Sequence, residues 1–440
     1  MKGKRIVLVG GGSFQWTPKI VRDFLALPGL DRSTVVLEDI SPENLAVTTP
    51  LVRKMLEESG REFRLETTDN LKDALPGADF VVLTISTGGL EAMAHDLEIP
   101  KKYGIFQSVG DTVGPGGWAR ALRNIPVFQE FAGAIQTDCP EAWVVNYTNP
   151  MSVLTRTLTK SGLKNVVGLC HEFLGVSDWL RRHFHRESFD GMDFAVTGIN
   201  HFNWILRLTV DGKDAFPELH RYAREFLTQQ KLADVNADPF ADNRFLKFTL
   251  FENFGFFPAA GDRHLSEFLP NVLTQENGYG RAYGIGLTSI ERRWKDLENG
   301  RRFIQEQIDG KHPIDYKKSS EKVADILDAL ANGKSGVFIT NLPNTGQVSN
   351  LPRDAIVEGL AEIKNGQMLP IEVGEVPSAI LPLVAPHVWR QEMIVEASFT
   401  GDWRLAVEAL ASDPMIRDPK CVRQMAEDLR NAHKKWLVQF

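Results

Sequence analysis

Short continuous apolar runs, separated by stretches of helical length, set the rhythm of the first half of the chain. Arg5-Ile6-Val7-Leu8-Val9 is such a run, of the kind that forms a parallel strand buried on both faces. Gly10-Gly11-Gly12-Ser13 follows, and Thr17-Pro18 predicts an N-cap and a helix-compatible first position for a helix through about Leu27. Val35-Val36-Leu37 is a second strand ending in Glu38-Asp39, and the charged stretch from Glu43 to Ser59 reads as helix. Phe63 to Glu66, Asp79 to Ile85, Ala142 to Asn146 and Val166 to Gly168 are further strands. Strands alternating with helices in this way predict a doubly wound parallel sheet.

After about residue 190 the pattern changes. Phe194 to Gly198 and Trp204 to Val210, followed by Asp211-Gly212-Lys213, read as antiparallel strands with a tight turn. Helices are expected at Ser289 to Ile308, Glu321 to Asn332 and Asp418 to Leu437. Val337 to Thr340 and Ala355 to Glu358 are strands between them. The expectation is an α/β fold in two parts, residues 1–195 as a nucleotide-binding domain and 196–440 as an α+β domain for substrate, metal and oligomerisation. There is no internal repeat or low-complexity tract.

Composition narrows the function classes. The 440 residues are 43% hydrophobic and 24% charged, as in an ordinary globular protein, with a net charge of −7. Without a basic block, neither nucleic acid nor an acidic membrane surface is an expected partner. No apolar run approaches the roughly 20 residues that span a bilayer. Met1 to Gly10 passes straight into a strand and a glycine turn, unlike a signal peptide. Three widely spaced cysteines, Cys139, Cys170 and Cys421, fit a reducing cytoplasm better than a disulfide framework.

Candidate chemistry sits at the predicted strand ends. Gly10-x-Gly12 lies between a strand and a helix, where glycine lets the backbone approach a pyrophosphate and the helix N-terminus faces it. Gly10, Gly12, Ser13 and Phe14 are therefore expected to bind a dinucleotide. Asp39, at the end of the second strand, would accept the ribose hydroxyls and favour NAD over a 2′-phosphorylated cofactor; Glu38 competes for that role. Gln15 stands where the fingerprint has its third glycine, and a plain strand–helix turn is the competing reading. Ser86-Thr87-Gly88-Gly89, after the fourth strand, lies at the same edge, and Ser86 is a further expected cofactor contact. Asp111 sits in a loop with four glycines that opens a helix at about Trp118, placed as a general acid near substrate; a solvated loop aspartate is the bland alternative. Cys170 and His201, at strand ends, could share one transition-metal ion, with His171 beside them. A lone buried cysteine or histidine is more often a satisfied structural residue. Cys139 and Cys421 are read as structural.

Gly10-x-Gly12-Ser13, Asp111-Thr112-x-Gly114-x-Gly116-Gly117, Asn146-Tyr147-Thr148-Asn149-Pro150-Met151, Gly168-x-Cys170-His171-Glu172, Gly198-x-Asn200-His201-Phe202 and Asn350-Leu351-Pro352 occur in this order. Together they make the chain resemble glycoside hydrolase family 4 over nearly its whole length. The resemblance implies a Rossmann-like first domain, akin to lactate and malate dehydrogenases, and dependence on NAD and a divalent metal, usually manganese. It is an exception to the two-carboxylate scheme of sugar hydrolysis. It further implies that NAD⁺ takes hydride from C3 of the sugar, that a base removes the acidified C2 proton, and that the C1 leaving group is eliminated. Water then adds and the hydride returns.

Residue by residue, the resemblance assigns Cys170 and His201 to the metal, Asn149 to the sugar hydroxyls and Asp111 to the leaving-group acid. Relatives place a tyrosine or an aspartate as the C2 base. Here the region reads Gly261-Asp262-Arg263-His264, so Asp262 is the expected base with His264 in reserve, and a salt bridge between Asp262 and Arg263 is the competing role. Cys170-His171-Glu172-Phe173 is one residue from the Cys-His-Glu-Val form associated with α-galacturonidases, with Phe173 departing from it. Met93 stands where many relatives carry an arginine. A uronate needs a cation, and Arg263 and Arg120 are the candidates, with His171 also expected at the sugar. The implied partner is a small sugar or oligosaccharide, and a homodimer or homotetramer is expected. An α-galacturonide or other α-uronide is the expected substrate, and an α-glucoside or α-galactoside the runner-up. A metal-assisted NAD-dependent sugar alcohol dehydrogenase is the rival from outside the family.

Overall fold

The computed structural model describes residues 3–230, 238 and 241–440, so Met1 and Lys2 of the N-terminal stretch lie outside it. Six strands open the chain: β1 (Arg5–Val9), β2 (Thr34–Glu38), β3 (Arg64–Thr68), β4 (Phe80–Leu83), β5 (Trp143–Asn146) and β6 (Val166–Gly168). All their pairings are parallel, and they lie in the order β6-β5-β4-β1-β2-β3. Alternate side chains feed two cores. Val7, Val9, Val81, Leu83 and Val144 pack with the helix Gly114–Asp138 on one face. Ile6, Leu8, Val35, Leu37, Val82 and Val145 pack with the helices Trp16–Leu25, Pro42–Ser59 and Val323–Asn332 on the other. Covering both faces is what requires the strands to be continuously apolar. The strand order reverses between β4 and β1, whose ends Leu83 and Val9 are in register, so the loops leaving them run side by side. Ligands bind open α/β sheets at such a reversal.

The next strands are β7 (Met192–Ile199), β8 (Phe202–Val210), β9 (Lys213–Asp214) and β10 (Phe257–Pro258), which form a separate antiparallel sheet. Its apolar residues pack with the helix Glu172–His183 around Trp179, Phe248, Phe251 and Phe257. β11 (Gly336–Pro343), β12 (Ile356–Lys364) and β13 (Gln367–Pro370) form an antiparallel meander. It also extends the first sheet. β11 pairs with β6 through Asn341 and Gly168, so the first sheet has nine strands and crosses the boundary expected at residue 195.

Two helix starts differ from expectation. The first helix begins at Trp16, and Thr17 is buried in its first turn instead of capping it. Ser13 takes that place: its hydroxyl accepts from the Trp16 amide and its carbonyl from the Thr17 amide. The helix after Asp111 begins at Gly114, not near Trp118. Among the described residues no helix is long and apolar enough to cross a membrane.

Candidate active site

The glycine turn after β1 is fixed from within. The Gly10 and Gly11 amides both donate to the Glu38 carbonyl, the Ser13 amide to the Gly10 carbonyl, and the Gly12 amide to Asp39 Oδ2 at 2.9 Å. A Cβ on Gly10, at φ +90°, would stand 2.7 Å from the Thr84 carbonyl oxygen, and one on Gly12 would stand 2.7 Å from Asp39 Oδ2. Only glycine fits either place. The Phe14 and Gln15 amides, at the start of the helix, have no partner among the described residues. An unpartnered pair of N–H groups at the positive end of a helix suits a pyrophosphate.

Asp39 is half-buried, and its Oδ1 accepts from the Ser41 amide, which leaves one lone pair on each oxygen for a ribose. Glu38 is buried, and desolvation, then the charge of Asp39, pushes its carboxyl up to about 7, so it is no rival. Ile40, next in the chain and 89% exposed, offers an apolar face beside Asp39. Ser86 is exposed at the neighbouring loop, whose Thr87 amide and hydroxyl are held by Asn124 Oδ1. These features fit a dinucleotide.

Four elements meet beyond the turn. Cys170 follows β6, Asn149 follows β5, Asp111 precedes the helix Gly114–Asp138, and His201 occupies the two-residue turn Asn200-His201 between β7 and β8. His201 is left-handed at φ +65°, a conformation that a tight hairpin turn imposes. Cys170 Sγ lies 3.2 Å from His201 Nε2. The other ring nitrogen, Nδ1, lies 2.9 Å from Thr112 Oγ1, and the Thr112 hydroxyl donates to Asp111 Oδ1 at 2.6 Å. Thr112 has one proton and Asp111 receives it, so the threonine oxygen accepts from Nδ1–H. This assigns the tautomer and leaves the Nε2 lone pair facing the sulfur. Burial, then His264, lowers His201 to about 3, which keeps the imidazole neutral as a ligand must be.

His264, in the helix Asp262–Glu267, lies against His201 with ring centroids 3.7 Å apart and the rings tilted by 33°. Asp111, His201 and His264 each turn one donor atom to within 4.8 Å of the others'. His264 Nδ1 and Asn149 Oδ1 are buried and have no hydrogen-bond partner among the described residues. A carboxylate, two imidazoles and a thiol around orphaned polar atoms fit a divalent transition ion. Burial, then the charges of Glu358 and Glu172, raises the Cys170 thiol well above its ordinary value; a cation is what would offset this.

Asp111 is held below the usual carboxylate range. Burial pushes it up, but the imidazoles of His264 and His201, the Arg120 guanidinium and the Thr112 hydroxyl outweigh burial. It also accepts from Asn149 Nδ2 at 3.2 Å. An ionised Asp111 suits a cation ligand or a base, and the acid role that the resemblance implies would require it first to take up a proton.

The expectation for Asp262 fails on geometry. Its two oxygens accept the Leu246 and Lys247 amides at 2.9 Å each, in the first turn of the helix Phe245–Phe254. Its carboxyl is raised by burial and then by Asp242, not by any member of the cluster. It caps a helix, and among the described residues no ion pair joins it to Arg263. Of the two residues named for the base, His264 reaches the cluster and Asp262 does not. Arg263 donates through Nη2 to the Ser108 carbonyl and Thr288 Oγ1 and so braces the Asp111 loop. Arg120 donates only Nε, to the Asn149 carbonyl, and its two terminal nitrogens have no partner among the described residues. His171 stays at the rim, 54% exposed and 3.6 Å from Glu172 Oε1. Met93 is buried against Leu97 and Ile290.

Three contributors escaped the sequence reading. Thr112 stands in the sequence motif only as the neighbour of Asp111. Glu172, lowered to about 2 because His264, His201 and His171 outweigh its burial, joins the cluster to the Gly261 amide. Glu267 accepts the Val109 and Gly110 amides from beneath the loop. Nothing in its local sequence marks it.

A family model described as Family 4 glycosyl hydrolase matches residues 5–185, and one described as Family 4 glycosyl hydrolase C-terminal domain matches residues 196–416. The chain is 35% identical to an alpha-galacturonidase of Lachnoclostridium phytofermentans, covering 98% of this chain and 96% of that one. It is 36% identical to an alpha-galacturonidase of Bacillus subtilis, covering 97% and 96%. A 6-phospho-alpha-glucosidase from gut microorganisms, solved in complex with NAD and Mn²⁺, shares the fold at a TM-score of 0.84 and 22% identity, covering 99% of each chain. The chain belongs to glycosyl hydrolase family 4 and is a glycoside hydrolase.

Proposed function

We propose that the chain hydrolyses α-galacturonides, or closely related α-uronides, with the aid of NAD and a divalent ion, manganese first. The observation that carries this reading is the run Asp111–Thr112–His201–Cys170 at the carboxyl edge of the sheet, in the same molecule as the open helix start at Phe14. Gly10, Gly12, Ser13, Phe14, Asp39 and Ser86 would hold the dinucleotide, and Cys170 with His201 the ion. Bound there, NAD supplies a reversible hydride acceptor and the ion a Lewis acid for neighbouring sugar oxygens, chemistry that side chains lack.

The protein's own groups divide the remaining tasks. Thr112 keeps His201 in the tautomer that leaves Nε2 open. Asn149 fixes Asp111 through its amide nitrogen and keeps Oδ1 for a sugar hydroxyl. His264 Nδ1, buried without a partner beside His201, is the base for the C2 proton. Arg120 meets the uronate carboxylate, because its two terminal nitrogens are uncommitted next to Asn149, whereas Arg263 is occupied with the loop. Two relatives named alpha-galacturonidase support the same substrate class.

The test is an assay of nitrophenyl α-galacturonide beside nitrophenyl α-galactoside, with NAD⁺, Mn²⁺ and a thiol reductant. The uronide is expected to turn over at least about tenfold faster in kcat/KM, with no net NADH and with solvent deuterium appearing at C2 of the sugar. Arg120→Gln should narrow that preference by about tenfold to hundredfold, the size of one charge-assisted hydrogen bond. NADH accumulating in step with product, or a preference for the galactoside, would overturn the reading.

A further inference from the structure

Glu358 lies in β12, far in sequence from every residue assigned above, and its carboxylate is 1% exposed. Among the described residues it forms no ion pair. Its partners are three side-chain amides: Asn200 Nδ2 and Asn341 Nδ2 donate to Oε2 at 2.9 and 3.0 Å, and Asn203 Nδ2 donates to Oε1 at 2.8 Å. The arrangement is costly. Turning all three nitrogens toward one carboxylate turns all three oxygens away, and Asn200 Oδ1, Asn203 Oδ1 and Asn341 Oδ1 are buried with no partner among the described residues. Each such orphan has lost its hydration with nothing in exchange.

The three asparagines do not belong to one element. Asn200 immediately precedes His201 in the β7–β8 turn, and Asn203 is the second residue of β8. Asn341 lies in β11 and is the residue that pairs with Gly168, two positions before Cys170. One carboxylate therefore grips the strand that carries the thiol and the turn that carries the imidazole. The two donors come from different sheets, and among the described residues no direct backbone pairing joins β6 to the β7–β8 turn.

We propose that Glu358 is a positioning residue that sets the separation of Cys170 Sγ and His201 Nε2, and through it the affinity of the site for its divalent ion. This rests on the metal reading given above. Glu358 touches no substrate or ion; it acts through the amides. Geometry, not charge, is the operative property. A glutamine can keep one oxygen toward Asn200 and Asn341, and its nitrogen can meet Asn203 once that amide turns over and offers its idle Oδ1.

The experiment is a Mn²⁺ titration of the full chain followed by the electron paramagnetic resonance of the free ion, with NAD⁺ binding and thermal melting measured alongside. Glu358→Ala is expected to raise the Mn²⁺ Kd by about tenfold to hundredfold, the usual effect of removing a support behind a ligand, and to leave the NAD⁺ Kd within about twofold. Glu358→Gln should keep the Mn²⁺ Kd within about threefold of wild type. Asn341→Ala removes the grip on the Cys170 side alone and carries the same prediction if Glu358→Ala does not fold. Folded Glu358→Ala or Asn341→Ala with a Mn²⁺ Kd within twofold of wild type overturns the proposal, and so does Glu358→Gln failing as badly as Glu358→Ala. Wild-type chain that takes up no Mn²⁺ overturns the metal reading itself, a separate outcome.

Discussion

A single hydroxyl decides the state of the most important imidazole. Thr112 donates to Asp111 and accepts from His201 Nδ1, so its proton count makes Nε2 a lone pair facing Cys170. Thr112→Val keeps the volume and removes the relay. It should weaken Mn²⁺ binding by about tenfold to hundredfold, with NAD⁺ affinity unchanged, as measured by calorimetric titration of each. Thr112→Ser should restore most of the loss, and a valine variant that binds Mn²⁺ as tightly as wild type would sink the assignment. Cys170 and His201 stand out in the sequence because each follows the end of an expected strand, and the fold brings Sγ and Nε2 to 3.2 Å from each other. Asp262 misled because its neighbours resemble a catalytic segment while its carboxylate points back at the Leu246 and Lys247 amides, 16 and 15 residues away. Local sequence records which group is present, not which way a first-turn side chain leans.

At the scale of elements, the six-residue helix Asp262–Glu267 works as a clamp on the loop that presents Asp111. Arg263 holds the Ser108 carbonyl, Ser266 Oγ lies 2.9 Å from Ser108 Oγ, and Glu267 Oε1 accepts the Val109 and Gly110 amides. Glu267 Oε2 is buried without a partner, and burial pushes this carboxyl up to about 8. The folded state thus prefers the protonated acid, whereas the unfolded chain ionises near the ordinary value. Between those values folding takes up a proton, so this group's contribution to stability is full below about pH 4.5 and declines as pH rises toward about 8. Glu267→Gln removes the decline. The difference in melting temperature, variant minus wild type, should grow more positive from pH 5 to pH 8, by a few degrees at the upper end. A difference that is flat with pH would mean that the carboxyl is already ionised in the fold. The parallel strands other than the polar, largely exposed edge strand β3 were readable from their apolar runs, since burial on both faces leaves no other pattern. The helix start at Gly114 was not, because glycine and proline disfavour helix interiors and packing overrides them. A Cβ on Gly117 would stand 2.4 Å from the Thr112 carbonyl carbon, so the close approach of loop and helix, not propensity, selects these residues.

Across the whole molecule, the end of the chain returns to brace its beginning. Arg123 and Asp96 are fully buried and paired through both guanidinium nitrogens at 2.7 and 2.6 Å, and His433, near the C-terminus, brings Nε2 to 3.0 Å from Asp96 Oδ1. Arg123 Nε also donates to the Thr87 carbonyl, and Trp436 lies so close to Gly88 that a Cβ there would approach it to 2.7 Å. The loop 86–89 is therefore held from behind by residues some 350 positions later in the chain. A sequence read in windows cannot find such a pairing, just as it could not find that β11 joins β6, because both are set by where long connections return. Breaking a buried pair leaves an uncompensated charge, at a cost of about 3–5 kcal/mol. Asp96→Ala should lower the melting temperature by several degrees and, by freeing Arg123, loosen the Thr87 carbonyl and raise the NAD⁺ Kd. His433→Ala removes a neutral partner and should do less of both: burial lowers its pKa despite Asp96, so the ring carries no charge at neutral pH. Scanning calorimetry with and without NAD⁺ separates the two effects. If NAD⁺ raises the melting temperature of Asp96→Ala as much as that of wild type, the buried pair serves stability alone and does not tie the loop 86–89 to NAD⁺ binding.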